Sequence, residues 1–255
     1  MCILFIAVNQ HKDYPLIIAA NRDEFHARPT LASHWWQPES HLLAGKDEMA
    51  SGSWMGINRR GNIAAITNIR APGRERPNAV TRGKLVIDYL QQSPDFETYS
   101  TQLAATKDSY NGYNLLFGSF NNLYVYNNFE NAVQSLTTGV YGLSNAMLNT
   151  PWPKLDFGKQ TLAEYCQSSS PLQKQHLFEL LRNQTPAEDE RLPKTGVPIE
   201  WERKLSSIFI KTDDYGTRSS TVLLVDQDKH VYWEEHSFNN QGKIVNEQGF
   251  DFSLQ

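Results

Sequence analysis

Apolar positions along this chain come in short paired runs. Cys2-Ile3-Leu4-Phe5-Ile6-Ala7-Val8 is followed, across the polar residues 9–15, by Leu16-Ile17-Ile18-Ala19-Ala20. Runs of this length, rich in Ile and Val and split by a turn-forming stretch, predict two antiparallel strands. The second runs straight into Asn21-Arg22-Asp23-Glu24-Phe25, so the hairpin returns Arg22 and Asp23 to the Cys2 end of the first strand. Residues 54–58 and 62–68 flank Arg59-Arg60-Gly61 and predict a second hairpin with a glycine turn. Further strands are predicted at 113–118, 123–126, 139–145, 207–211, 216–225 and 230–235, with a short last one near Phe250. Residues 26–53 and the Pro-rich residues 184–200 lack either period and read as loops.

Helical spacing enters in two places. Thr81 is a candidate cap for residues 84–90, and Ser93-Pro94-Asp95 starts the next helix with Pro94 at its first position. A second pair covers 155–166 and the stretch from Ser170-Pro171 to Leu181, with Cys166 and His176 assigned to structure rather than chemistry. Strand pairs interrupted by helix pairs imply antiparallel sheets covered by helices, and adjacent pairing disfavours βαβ winding. Two stacked sheets between two helical layers use every amphipathic helix, in one continuous domain over residues 1–255.

Composition narrows the function. With 40% hydrophobic and 20% charged residues and a net charge of -4, the chain has no general case for nucleic acid or an anionic membrane as partner. Two cysteines, Cys2 and Cys166, suggest a reducing compartment, and the absence of a long apolar run or signal-peptide pattern makes the cytosol the default. His26, His34 and His41 show no metal-ligand spacing, so no metal is expected. Trp35, Trp36 and Trp54 read as core or pocket wall. From Arg59 to Lys84 seven basic side chains, including Arg70, Arg74, Arg76 and Arg82, face only Glu75. They form either a solvated loop or a rim that attracts a carboxylate or phosphate.

The chemistry gathers at Cys2. Once Met1 is removed, its thiol lies beside a free α-amine of pKa about 7.7 to 8.0, a base attached to its own nucleophile. Arg22 favours the thiolate by charge, and Asp23 is placed to orient Arg22 or the ammonium. The plain alternative is a small buried side chain without chemistry. Asn68 and Asn145 each close a predicted strand and are candidate polar groups for the same site.

Met-Cys at the start, Asn21-Arg22-Asp23-Glu24-Phe25, Thr67-Asn68, the segment Tyr141-Gly142-Leu143-Ser144-Asn145 with Thr150-Pro151-Trp152, and Tyr215-Gly216-Thr217-Arg218 together resemble the NRDE-domain family, also called the transport and Golgi organisation 2 family. That family is similar to the cysteine N-terminal nucleophile (Ntn) hydrolases, such as penicillin V acylase and bile salt hydrolase. The resemblance implies an α+β fold, a four-layer αββα sandwich of antiparallel sheets, with Cys2, Arg22, Asp23, Asn145 and Arg218 at matching positions and Asn68 more loosely matched. Those hydrolases separate the arginine from the aspartate, whereas here the two are adjacent, so Asp23 and Glu24 compete for one role. It implies hydrolysis or acyl transfer on an amide or thioester in lipid or acyl-coenzyme A metabolism, with no cofactor. The alternative it carries is a non-catalytic intracellular carrier in haem trafficking, with haem or a lipid as ligand in a pocket walled by Trp35, Trp36 and Trp54. Either way the partner is a small molecule, and the oligomeric state stays open.

Overall fold

Side chains of the first strand, β1 (Cys2–Val8), divide by parity, as a pleated strand requires. Ile3, Phe5 and Ala7 join one apolar cluster, and Leu4, Ile6 and Val8 another. The next strand, β2 (Leu16–Phe25), repeats the split, with Ile17 and Ala19 on one side and Leu16, Ile18 and Ala20 on the other. Strands buried on both faces belong between two packed layers.

The computed structural model describes residues 2–38, 41–168 and 172–255. The strands after β2 are β3 (Thr30–Trp35), β4 (Leu42–Asp47), β5 (Met55–Asn58), β6 (Asn62–Asn68), β7 (Tyr113–Ser119), β8 (Asn122–Asn127), β9 (Ala132–Leu136), β10 (Gly139–Leu143), β11 (Tyr215–Val225), β12 (His230–Phe238) and β13 (Ile244–Ser253). The helices are α1 (Gly83–Gln92), α2 (Phe96–Thr106), α3 (Pro153–Gln167), α4 (Lys174–Leu181) and α5 (Ile199–Lys204). One sheet runs β10-β1-β2-β11-β12-β13 and the other β3-β4-β5-β6-β7-β8-β9, all neighbours antiparallel. Leu4, Ile18 and Leu223 of the first meet Leu43, Ile63 and Leu116 of the second in the layer between the sheets. α1 and α2 cover the outer face of the second sheet through Val86, Leu90 and Leu103, and α3 and α4 cover the first through Leu155, Leu162 and Leu177. The molecule is the α+β, four-layer αββα arrangement expected from the pairing of strands and helices.

α3 lies so close to β1 that a Cβ at Gly158 would fall 2.1 Å from Phe5 Cζ. Gly158→Ala is expected to cost about 1–3 kcal/mol through overpacking, read as a lower denaturant midpoint with an unchanged slope.

Several local expectations are corrected. Residues 26–53 hold β3 and β4, whose short runs mix His and Ser with apolar residues and so hide the alternation. β9, with one buried residue of five, was also missed. Thr81 does not cap α1: the cap position is Arg82, with no side-chain cap bond. Pro94 precedes α2 rather than opening it, because Asp95 is the cap and accepts from Thr98 N at 2.9 Å. The start signal at Ser170 and Pro171 lies outside the described residues, and α4 begins at Lys174. Residues 207–211 are not a strand. Only their end touches β11, through Thr217 N donating to Ile210 O and a single Lys211–Gly216 bridge, while Phe209 N donates to Asn183 O and Ile210 N to Thr217 Oγ1. Residues 184–200, read as loop throughout, end in the first turn of α5.

Candidate active site

The β1–β2 register sets Cys2 directly across from Arg22. By parity both side chains face the gap between the sheets, where the strands end and apolar packing gives way to a polar cavity of about 250 Å³. Its walls come from both sheets: Cys2, Arg22 and Asp23 from the first, Trp54 and Asn68 from the second, and Arg82 from the start of α1. Arg22 is buried, with its guanidinium 4.4 Å from the centre of the Trp54 ring. Its Nη1 donates to Thr30 Oγ1 at 3.2 Å, and its Nη2 lies 3.7 Å from Asp47 Oδ2. Asp47 also takes Arg28 Nε at 2.7 Å, and Arg28 reaches Glu24 at 3.9 Å. Trp54 is itself fixed by Gly45, where a Cβ would sit 2.2 Å from the indole.

Asp23 is one residue further and turns to the opposite side. Its carboxylate accepts from Thr217 Oγ1 at 2.7 Å, and its carbonyl accepts from the Tyr215 hydroxyl at 3.0 Å. The carboxylate in ion-pair contact with Arg22 is therefore Asp47, a residue the sequence did not point to. Asp23 and Glu24, which compete in sequence, both line the cavity but take different partners: Asp23 bonds Thr217 across the β2–β11 pairing and Glu24 pairs with Arg28. Burial pushes the Asp23 carboxyl above its ordinary range. Burial likewise raises the Cys2 thiol; against it the charge of the chain's terminal ammonium pulls it down, the Asp23 charge adds to the rise, and Arg22 and the backbone N–H of Asp23 pull it down more weakly.

These directions fix a pH dependence. Only the thiolate is alkylated, so with the Cys2 pKa raised its reaction with iodoacetamide should keep accelerating above the ordinary thiol value of 9.0. Asp23→Asn removes a negative neighbour, lowers that pKa and speeds alkylation at pH 8 several-fold, read by peptide mass spectrometry. A slower reaction in that variant would reverse the assigned sign.

The remaining expected residues divide. Asn68 lines the polar cavity and a second cavity beside it. Asn145 is buried behind it: its Nδ2 donates to Asn68 O at 2.9 Å and its Oδ1 accepts from Ser144 Oγ. It lines neither cavity. Arg218 is brought to the β2–β3 loop rather than to the cavity, with Nη1 at 2.9–3.1 Å from the carbonyls of Phe25, His26 and Arg28. Of the tryptophans, Trp54 alone reaches the polar cavity. Trp35 packs on Phe252 under Arg59, and Trp36 packs in the α1 layer with Nε1 donating to Ala44 O. The basic residues do not form one rim. Arg82 lines the polar cavity and Arg70 the second one, whereas Arg74 stacks on Phe129 and Arg76 bonds Tyr110 O.

Behind the site lies a charged cluster that sequence reasoning missed. Arg70 pairs with Glu202, both buried, and its guanidinium stands 5.0 Å from the Trp152 ring. Lys154 is buried beside them, donating to Leu205 O at 2.9 Å. Burial, and then the Arg70 charge, push its ammonium down to about 8, against the pull of Asp23 and Glu202. The available signal was Trp152, two residues before Lys154 in a motif already singled out. Among the described residues no three His, Cys, Asp or Glu side chains group to hold a metal, and no helix is long and apolar enough to cross a membrane.

Fold and site together define an α+β two-sheet sandwich in which a cysteine on the first strand opens into a polar cleft between the sheets. The chain belongs to the Transport and Golgi organisation 2 family, whose model matches residues 1–240. It is 34% identical to the Transport and Golgi organization 2 homolog of Mus musculus over the full length of both chains. It is 36% identical to the Bos taurus homolog over 93% of each. Among solved structures it is similar to a mutant of the conjugated bile acid hydrolase from Clostridium perfringens (TM-score 0.45, 11% identity, 100% of this chain and 98% of that one). It is also similar to a Caenorhabditis elegans ortholog of N-acylethanolamine-hydrolyzing acid amidase (TM-score 0.42, 10% identity, 88% and 92%).

Proposed function

We propose that this protein is an N-terminal cysteine hydrolase or acyltransferase acting on an amide or thioester. One observation carries the reading: Cys2 lines a cavity whose nearest charged neighbour across the strand pair is a buried arginine. A cysteine kept only for packing needs neither an open cavity nor a guanidinium beside it.

Removal of Met1 exposes the Cys2 amine. Because burial makes the thiol a weaker acid, a base must take its proton, and an α-amine titrating near neutrality is such a base. The sulfur then bonds to the substrate carbonyl carbon, and the oxyanion takes a hydrogen bond from the Asn68 side-chain amide. Asn145 positions Asn68 by holding its carbonyl. As the C–N or C–S bond breaks, the ammonium returns the proton to the leaving group. Water, or an acceptor nucleophile, then cleaves the cysteine thioester by the same route in reverse. Arg22, held by Asp47 and Thr30, steadies the thiolate.

The carrier reading loses the wall it was built on, since Trp35, Trp36 and Trp54 do not share a cavity. Mass spectrometry tests the hydrolase reading in one sample. The purified protein should lack the mass of methionine, and rapid quenching with a decanoyl thioester should show one added decanoyl group on the Cys2 peptide. A retained Met1, or acylation spread over lysines, would sink it.

A further inference from the structure

Beside the connection from α1 to α2 lies another hollow, about 160 Å³, which shares no lining residue with the cavity at Cys2 or its neighbour. Four rings come to it from four elements. Phe117 of β7 and Tyr124 of β8 stand opposite each other in register, Tyr89 comes from α1, and Phe96 is the first residue of α2. Ring centres are 4.3 Å apart for Phe96 and Tyr124, and 5.6 Å for Phe117 with Tyr124 and with Tyr89. Tyr89 and Phe117 are buried, whereas Phe96 is 41% exposed at the edge. The β7–β8 turn against them is tight: Gly118 has a φ of 136°, and a Cβ there would fall 2.2 Å from Asn122 O.

Aromatic faces carry negative potential and attract cations. Elsewhere the chain supplies its own: Arg22 stands over Trp54, Lys46 over Trp36, Arg59 over Trp35 and Arg74 over Phe129. Among the described residues no Lys or Arg stands over Tyr89, Phe96, Phe117 or Tyr124, and no charged side chain lines the hollow. Asp95, between the lining residues Pro94 and Phe96, caps α2 through Thr98 N and Oγ1, so a carboxylate meets the positive end of that helix. At ~30 Å³ per water-sized group the space takes roughly five such groups, the size of a tetramethylammonium ion. A quaternary ammonium ion has no N–H to leave unpaired, and ring faces meet its charge. Asn62 and Asn122 supply polar groups for a short tail.

We propose that this hollow binds the trimethylammonium group of a small molecule against Phe96, Phe117, Tyr124 and Tyr89, independently of the Cys2 site. Proton NMR titration compares choline with neohexyl alcohol, the same shape with carbon in place of the charged nitrogen, and reads the methyl line that ring currents move. Choline should bind about tenfold tighter than the alcohol. Phe96→Leu keeps an apolar edge but removes one ring face, and should weaken choline several-fold while leaving the alcohol unchanged. Phe96→Trp should hold or raise the choline affinity, and Cys2→Ala should leave it as in the wild type. Equal affinity for the two ligands, choline binding untouched by Phe96→Leu, or choline binding lost in Cys2→Ala would each overturn it. Sedimentation with phosphatidylcholine vesicles, competed away by choline, would place the same group on a lipid surface and overturn the small-molecule assignment.

Discussion

Cys2→Ala is expected to remove acyl transfer altogether, a loss on the order of 10³-fold or more, while the domain stays folded. The side chain is half-buried at a strand end, so truncation leaves β1 paired with β2 and β10, and its stability cost is about 1 kcal/mol or less. Cys166→Ala is the matched control. That thiol is buried on α3 and pushed up to about 11, which keeps it protonated and inert. Turnover of a decanoyl thioester, followed with free-thiol detection, should vanish in the first variant and persist in the second. Wild-type rates in Cys2→Ala would end the nucleophile assignment, whatever the cavity binds.

The largest stability effect is expected behind the cavity. Glu202, itself buried, accepts from the buried Arg70 side chain and, at the edge of the cluster, from Thr195 N at 3.1 Å and Thr195 Oγ1 at 2.6 Å. Glu202→Met leaves the Arg70 guanidinium buried without its counter-charge and with Lys154 still nearby. Breaking one side of such a pair costs about 3–5 kcal/mol, a fall in Tm on the order of 10 °C for a domain of this size. Removing both charges, Arg70→Met with Glu202→Met, should restore much of the loss, because no isolated ion remains. A double variant less stable than Glu202→Met alone would show that Arg70 stabilises through contacts other than Glu202, its stacking on Trp152 first among them.

The sequence carried what depends on period and pairing. Two apolar runs split by a polar turn made the β1–β2 hairpin legible, and its register brought Cys2 to Arg22. The four layers followed from strands and helices arriving in pairs. Illegible were contacts that close over long separations: Arg22 with Asp47, Arg70 with Glu202, and Asp23 with Thr217. No local pattern marks such partners, since each is an ordinary charged or hydroxyl residue until the fold brings it inward. Residues 207–211 misled for a related reason. Their apolar content satisfied burial, but only Ile210 and Lys211 meet β11, and the Phe209 N–H turns to Asn183 O instead of a strand neighbour.

The Cys2 thiol stands on one sheet, while Trp54 and Asn68, which line the same cavity, belong to the other. Their separation is therefore set by how the two slabs of the sandwich sit on their shared greasy filling, which Trp54 joins and Cys2 packs against. A small slide of one slab past the other would change the aperture, as the jaws of a calliper move with its beam.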